Sequence, residues 1–197
     1  MKLIIASNNK HKIYEIKKIL GDRFENILSL REAGVDHETV EDGTTFIENA
    51  RKKAREIAEI TGCCALADDS GICVDFLGGA PGIYSARYAG EHGDDAANNR
   101  LLLKNLEGAA DRSAEFVCVI ACVLPDKPDE AIFCRGATEG VILDGYRGDG
   151  GFGYDPLFFY EPLGKTFSEL SAEEKNAISH RGKAVEKLAM ELKNIIS

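Results

Sequence analysis

The segment Cys64-Ala65-Leu66-Ala67-Asp68-Asp69-Ser70-Gly71-Ile72-Cys73-Val74-Asp75-Phe76 sets two adjacent carboxylates between two apolar runs. The runs at 64–67 and 72–76 predict two strands joined by an acidic turn. Adjacent carboxylates at the end of a strand repel each other and are costly to desolvate, so they indicate a neutralising cation or solvent. Oxygen ligands without nearby His or Cys suit Mg²⁺ or Mn²⁺, which substrate phosphates often complete. The segment therefore favours nucleotide chemistry at a metal site, with a solvated acidic turn as the alternative.

Apolar positions on both sides of this segment alternate between strand and helix periodicity. Further strands are predicted at residues 3–6, 116–124 and 131–134, the last two as a hairpin. Helices are predicted where apolar residues keep to one face, at residues 13–20, 46–58, 94–106 and after a capping box at 171–174. Helices interleaved with strands predict an α/β or α+β domain with a mixed sheet.

Composition narrows the class of protein. With 197 residues and 44% hydrophobic content, the chain fits one domain, or two closely joined lobes, with a sizeable core. No apolar run is as long as a signal peptide or a membrane span, which predicts a soluble cytoplasmic protein with no membrane partner. The net charge of -9 argues against nucleic acid as a partner, whereas a mononucleotide needs only a few convergent cations. Six cysteines without a Cys-x-x-Cys pair predict reduced core residues rather than a metal cluster or a disulfide frame.

Two familiar phosphate motifs are excluded by their surroundings. The glycines of 148–153 have the spacing of a dinucleotide fingerprint, but Tyr154-Asp155-Pro156 follows and cannot open the helix that the motif requires. Gly164-Lys165-Thr166 resembles the end of a P-loop, but Phe159 stands where the earlier glycine is needed.

Several polar residues near predicted strand and helix ends are candidates for phosphate and metal binding. Ser7-Asn8-Asn9 and Lys12 follow the first strand, where helix N–H groups favour an anion, although an ordinary N-cap with a solvated lysine would look the same. Glu41 precedes the second helix and could either bring a third carboxylate to the metal or cap the helix. Lys53 lies on that helix and points either into the site or into solvent.

Gly151-Phe152-Gly153-Tyr154-Asp155-Pro156 indicates contact with a flat ligand. Glycines let the backbone approach closely, a Phe or Tyr face can stack on a base, and Asp155 can accept from ring N–H groups. A glycine-stabilised turn is the alternative. Ser179-His180-Arg181, with Lys175 upstream, forms a candidate base-reading or phosphate-binding group, although a lone histidine is more often structural.

Taken in chain order, these segments resemble the Ham1 family of inosine triphosphate pyrophosphatases. The segments that carry the resemblance cover nearly the whole chain: Ser7-Asn8-Asn9-Lys10-His11-Lys12, Glu41 with Phe46-Ile47-Glu48-Asn49-Ala50 and Lys53, Ala67-Asp68-Asp69-Ser70-Gly71, Gly82-Ile83-Tyr84-Ser85-Ala86-Arg87-Tyr88, Gly151-Phe152-Gly153-Tyr154-Asp155-Pro156, and Ser179-His180-Arg181. Each segment is short, but six of them in order argue against coincidence. At Tyr154 some relatives carry Trp.

The resemblance implies the ITPase-like fold that Maf and Ham1 proteins share. Residues 1–197 would form one elongated domain of two lobes around a mixed sheet flanked by helices, with the nucleotide in the cleft between the lobes. The implied protein is a homodimer that hydrolyses ITP, dITP and XTP to the monophosphate and pyrophosphate with Mg²⁺. It would thereby remove deaminated purines from the nucleotide pool.

The resemblance also implies roles for individual residues. Asp69 is implied as the general base and a metal ligand, and Glu41 as the second metal ligand. The implied residues for phosphates or sugar are Ser7, Asn8, Asn9, Lys10, His11, Lys12, Lys53 and Ser70. The implied residues for the base are Phe152, Gly153, Tyr154, Asp155, Lys175, His180 and Arg181.

These roles agree with the chemistry of the residues. Asp69 would orient or deprotonate water for attack at the α-phosphorus, and lysines would hold the leaving pyrophosphate. Asp68 either tunes the pKa of its neighbour or is solvated. Donors at residues 175, 180 and 181 facing the purine O6 would reject adenine, whose amine leaves a buried donor facing another donor.

Two alternative functions remain open. A Maf-like pyrophosphatase for modified or pyrimidine nucleotides shares the general fold, but Ser179-His180-Arg181 and the stretch 151–155 favour the purine family. A nucleotide-binding regulator without catalysis is the second alternative, and Asp69, Glu41 and Lys53 argue against it.

Overall fold

The computed structural model describes residues 2–21, 24 and 26–196. Within these ranges the chain forms seven strands, which are β1 (Lys2–Ile5), β2 (Asn26–Ser29), β3 (Cys64–Val74), β4 (Ser113–Val123), β5 (Ala131–Ile142), β6 (Phe158–Tyr160) and β7 (Lys165–Thr166). The same ranges hold five α-helices, which are α1 (Lys10–Leu20), α2 (Phe46–Thr61), α3 (Asp95–Asn105), α4 (Ala172–Ile178) and α5 (His180–Ile196). The strands predicted at residues 3–6, 116–124 and 131–134 and the predicted helices are therefore present.

The strands form one seven-stranded sheet in the order β2-β1-β3-β4-β5-β6-β7. β1 pairs in parallel with β2 and with β3, whereas β6 pairs antiparallel with β5 and with β7. The predicted mixed sheet flanked by helices is therefore confirmed. β4 and β5 are neighbours in this order, as the predicted hairpin requires.

The prediction of two strands separated by an acidic turn is wrong. β3 runs without interruption from Cys64 to Val74, and Asp68 and Asp69 lie buried in its middle. Successive side chains of a strand point to opposite faces, so the two carboxylates do not share one environment and each can be neutralised by its own cation. The chain therefore has no need to turn toward solvent at this point.

The chain divides into two compact units. The first comprises Met1–Asp69, Cys118–Gly136 and His180–Ser197, and the second comprises Ser70–Val117 and Ala137–Ser179. In the first unit, Leu3 and Ile5 pack in one apolar cluster with residues of α1 and α5, while Ile4 packs in another with residues of α2. β1 is therefore buried on both faces, as its uninterrupted apolar sequence indicates.

The second unit has its own apolar cluster. Leu102 of α3 packs there with residues of β3, β4 and β6. Three aromatic rings stand at its centre, with the Phe116 and Phe158 centroids 4.6 Å apart and the Phe158 and Phe167 centroids 4.8 Å apart. These contacts hold β6 and the segment after β7 in place beside the loop of residues 143–157.

Two predictions from composition can be compared with the structure. All six cysteines are free thiols, four of them buried and Cys63 and Cys73 half-buried. Among the described helices, none is both long and apolar enough to cross a membrane.

Candidate active site

In the first unit, Lys53 joins the two predicted metal ligands. Its Nζ lies 2.5 Å from Glu41 Oε1 and 3.4 Å from Asp69 Oδ1, and it donates to the Asp68 carbonyl oxygen at 2.8 Å. The lysine points inward because it lies next to Ala54 on the side of α2 that packs in the core. Lys53 therefore points into the first unit and not into solvent, whereas its predicted role in the site stays a prediction.

Burial and neighbouring charges shift the pKa values of Lys53 and Asp69. Burial alone would lower the pKa of Lys53, but Asp69, Glu41 and Asp68 outweigh it and raise that pKa above its usual value. For Asp69 the balance is reversed: burial raises the pKa of its carboxyl above the usual range, although Lys53 and Lys12 act against this. Asp69 is thus a more basic carboxylate than a solvated aspartate, as a general base requires.

Asn49 supports the same group and was not among the residues predicted to form the site. Its Nδ2 donates to Asp69 Oδ2 at 3.2 Å, and its Oδ1 accepts from the Gly43 N–H at 2.9 Å. One side chain therefore orients the carboxylate of Asp69 and fastens the loop that carries Glu41. Its position one helical turn before Lys53 places it on the same face of α2.

Asp68 is the centre of a second buried group. Lys12 Nζ lies 2.8 Å from its Oδ1, and Arg181 Nε donates to its Oδ2 at 3.1 Å. Burial would raise the pKa of Asp68, but Lys12 and Arg181 hold it well below the usual range. Arg181 also donates through Nη1 to Glu15, a buried residue of α1 that the sequence did not single out. The four side chains form a chain of alternating charge inside the unit.

The segment Ser7–Lys12 begins α1. Asn9 is its N-cap and accepts from the N–H groups of His11 and Lys12, while the Ser7 hydroxyl accepts from the Asn9 N–H. Asn8, Asn9, Lys10 and His11 are exposed. The ordinary capping role is thus present, and the solvated lysine of the alternative reading is not, because Lys12 reaches Asp68.

In the second unit, three predicted base-binding residues contact one another. Lys175 Nζ donates to Asp155 Oδ2 at 2.6 Å and lies 4.7 Å from the centre of the Phe152 ring. The Phe152 N–H donates to the same Oδ2 at 2.9 Å. A Cβ on Gly151, whose φ is +73°, would lie 2.2 Å from that oxygen, so the glycine lets the carboxylate pack against the backbone. The group presents an aromatic face beside a buried ammonium.

Tyr154 is buried, whereas Phe152 is partly exposed. The Tyr154 ring lies in the apolar cluster of the second unit, and its hydroxyl donates to the Ser85 carbonyl oxygen at 2.7 Å. Burial raises the pKa of this phenol well above its usual value. Of the two aromatic residues considered for base stacking, Phe152 therefore has the more accessible ring.

The peptide between these two aromatic residues is held from α3. Asp95 Oδ2 accepts from the Gly153 N–H at 2.7 Å, and Asn99 Nδ2 donates to the Gly153 carbonyl oxygen at 2.9 Å. Neither side chain was predicted to contribute. Their spacing of four residues on one helix is the signal that places them on a common face.

The remaining predicted residues have the following places. Ser70 follows Asp69 in β3 and is half-buried. His180 begins α5 and is buried. No group of three or more His, Cys, Asp or Glu side chains that could hold a metal occurs among residues 2–21, 24 and 26–196. The predicted roles of the individual residues, and the predicted cleft between two lobes, stay predictions.

The sequence matches the Ham1 family over residues 3–191. The chain belongs to the Ham1 family. A Clostridium perfringens relative named dITP/XTP pyrophosphatase is 54% identical over 203 residues, which span 99% of this chain and 98% of the relative. An Escherichia coli O157:H7 relative with the same name is 47% identical, with 98% of each chain covered. The solved structure of the Staphylococcus aureus Ham1 protein has a TM-score of 0.88 at 43% identity, covering 98% of this chain and 99% of that one.

The family resemblance predicted from six short segments is thus confirmed, and so is the fold that it implied. As a Ham1 protein, the chain carries Asp69 and Lys53 in one group of its first unit and Asp155 and Lys175 in one group of its second unit. In the second unit, Asp155 and Lys175 share a predicted role at the base and are in contact. In the first unit, Lys53, predicted to bind phosphate, contacts the predicted metal ligands Glu41 and Asp69.

Proposed function

We propose that this Ham1 protein hydrolyses deaminated purine nucleoside triphosphates, ITP, dITP and XTP, to the nucleoside monophosphate and pyrophosphate. The observation that carries the proposal is the partly buried contact of Lys53 with two carboxylates, Glu41 and Asp69, in a chain whose full-length relatives are named dITP/XTP pyrophosphatase. The names of these relatives agree with the activity predicted from the sequence. By removing such nucleotides, the protein would keep them from being incorporated by polymerases.

Glu41 and Asp69 fit a divalent ion. Each presents a carboxylate oxygen to the same nitrogen of Lys53, and hard oxygen ligands of this kind suit Mg²⁺, with Mn²⁺ as a substitute. Two carboxylates are enough when substrate phosphates complete the coordination. Bound there, the ion would neutralise phosphate charge and polarise the reacting phosphoryl group.

Asp69 accepts the proton of the attacking water. The water oxygen forms a bond to the α-phosphorus, the bond from that phosphorus to the bridging oxygen breaks, and pyrophosphate leaves. The raised pKa of Asp69 makes it a better proton acceptor than a solvated aspartate, and Asn49 fixes its orientation by donating to Oδ2. Lys53 and Lys12 place positive charge beside the group, where it can hold the leaving oxygens.

Other residues of the first unit contribute to the phosphate and sugar contacts. The positive end of the α1 dipole favours an anion, which supports the proposed role of Ser7, Asn8, Asn9, Lys10 and His11. Ser70, the next residue after Asp69 and the first residue of the second unit, offers a hydroxyl for the phosphates or the sugar.

The group in the second unit recognises the base. The ring of Phe152 stacks on the purine, and Lys175 donates to the 6-oxo oxygen that hypoxanthine and xanthine share. Adenine carries an amine at that position. Both this amine and the Lys175 ammonium are hydrogen-bond donors, so the buried ammonium would be left without an acceptor on the base. His180 and Arg181, which the family resemblance assigns to the base, lie in the first unit, where Arg181 donates to Asp68 and Glu15. Their role at the base, like that of Gly153 and Tyr154, stays a prediction.

Replacement of Lys175 tests this assignment. In Lys175→Met, we expect kcat/KM for ITP to fall about 10- to 100-fold, because a charge-assisted hydrogen bond to O6 is lost. The preference for ITP over ATP should narrow, since the donor that rejects the adenine amine is gone. Lys165→Met, which removes an exposed lysine paired with Glu174, is the matched control and should keep the preference of the parent. Equal preferences in both variants would contradict the assignment.

Pyrophosphate release from a panel of nucleotides tests the function as a whole. With Mg²⁺, we expect turnover of ITP and XTP to exceed that of ATP, GTP and dTTP by about 10²-fold or more. Faster turnover of dTTP or UTP would support a Maf-like activity instead. Nucleotide binding without turnover would support the alternative of a nucleotide-binding regulator without catalysis.

We further propose that the protein is a cytoplasmic homodimer, which the family resemblance implies.

A further inference from the structure

The turn of residues 152–155 carries the side chains assigned to the base. The Asp155 N–H donates to the Phe152 carbonyl oxygen at 3.2 Å, and Gly153 within the turn has a φ of +60°. The preceding residues 144–151 are exposed and rich in glycine, and hydrogen bonds of Arg147 and Gly150 tie them to Pro156 and Ser168. The turn itself makes further contacts that set its orientation.

Two of those contacts come from one face of α3. Asp95 accepts from the Gly153 N–H and Asn99 donates to the Gly153 carbonyl oxygen, so both polar groups of this residue are held by the same helix. Asp95 contributes a charge-assisted hydrogen bond, which is stronger than a neutral one. Because Gly153 is bonded directly to Phe152, these two hydrogen bonds limit the directions in which the Phe152 ring can point.

Asn99 is difficult to explain as a core residue. Its side chain is 4% exposed, and its Oδ1 is buried with no hydrogen-bond partner in the part of the chain that the structure describes. A buried unpaired acceptor reduces stability, and a leucine would fill similar space without that penalty. The amide is therefore accounted for by its hydrogen bond to Gly153, not by packing.

We propose that Asp95 and Asn99 are positioning residues for base recognition, which hold the Gly153 peptide and thereby keep Phe152 beside Lys175 in the orientation that stacks on the purine. Neither residue contacts the substrate. This inference rests on the proposed function, because it deepens the account of how that site binds its base. It predicts an effect on binding of the base and none on the phosphate chemistry.

The test compares variants of the two residues by steady-state kinetics and by titration calorimetry with IMP and with pyrophosphate. In Asp95→Ala and Asn99→Leu, we expect KM for ITP and the dissociation constant for IMP to rise about three- to tenfold, the effect of one lost hydrogen bond. The kcat and the pyrophosphate affinity should stay within about twofold of the parent, because the residues around Asp69 are untouched. Asp95→Asn, whose amide oxygen can accept from the same N–H, should recover most of the parent KM.

Two neighbours on α3 provide matched controls. Asp94 caps the helix by accepting from the Ala97 N–H, and Asn98 is buried with hydrogen bonds to Ala86 and Ala89. Asp94→Ala and Asn98→Ala should lower the thermal midpoint but leave KM for ITP near that of the parent. If the substitutions acted only by loosening α3, KM for ITP would rise in the two controls as well as in Asp95→Ala and Asn99→Leu.

The outcomes separate this inference from the proposed function. An active parent whose Asp95→Ala and Asn99→Leu variants keep the parent KM, or lose kcat and pyrophosphate affinity together with IMP affinity, overturns the positioning role alone. A parent that releases no pyrophosphate from ITP or XTP overturns the proposed function, and this inference with it.

Discussion

Asp69→Asn should reduce the kcat for pyrophosphate release from ITP by about 10²- to 10⁴-fold, the usual contribution of a general base. The amide has the shape of the carboxylate but cannot take a proton from water. It can still accept from Asn49 through its oxygen, and Lys53 keeps its contact with Glu41, so the local structure should survive. Burial disfavours the ionised form of Asp69, so a neutral amide should keep the protein folded. Steady-state kinetics and circular dichroism on the same preparation would measure both effects.

The neighbouring acidic loop offers a matched control for this variant. Asp42 is an exposed carboxylate next to Glu41, and it pairs with Lys52 at 2.7 Å instead of facing the site. Asp42→Asn removes the same charge from the same region and should keep the kcat of the parent. If Asp69→Asn retains more than about a tenth of the parent kcat, Asp69 does not act as the base, since general-base catalysis is typically worth at least 10²-fold.

The sequence predicted those features of the fold that depend on neighbours along the chain. The spacing of Ala50, Ala54 and Ile57 placed one face of α2 in the core, but it did not decide whether Lys53 points inward or into solvent. The capping box at 171–174 correctly marked the start of a helix, α4. These signals are local, because a helix turn brings residues three and four apart together whatever the rest of the chain does.

The interruption predicted within β3 was wrong for a reason that no local pattern contains. Asp68 is neutralised by Lys12 and by Arg181, the latter 113 residues away, and a single sequence does not reveal such pairs. When these cationic partners are unknown, two adjacent aspartates predict a solvent-exposed turn. The same limit applies to Tyr154, whose buried hydroxyl donates to the distant carbonyl of Ser85. Residue types thus indicated which chemistry to expect, while the partners that support it required the three-dimensional contacts.

Arg181→Met should lower the free energy of unfolding by about 3–5 kcal/mol, the usual effect of removing one partner from a buried ion pair. The guanidinium is 2% exposed and donates to both Asp68 and Glu15. Methionine fills much of the same volume but leaves Glu15 without this partner and removes one of the cations that neutralise Asp68. Most of the loss therefore comes from carboxylates that stay buried with less compensation, and urea denaturation monitored by circular dichroism would measure it.

A surface arginine shows whether burial is the cause. Arg55 of α2 pairs with Glu59 and Asp129, but its side chain is 45% exposed. Arg55→Met should leave the free energy of unfolding nearly unchanged, because water replaces the lost partner of an exposed carboxylate. Arg181→Lys keeps one positive charge but cannot reach both carboxylates with a planar fork, so its stability should fall between the parent and Arg181→Met. If Arg181→Met were as stable as Arg55→Met, the buried chain of alternating charge would not be what holds Asp68 ionised inside the first unit.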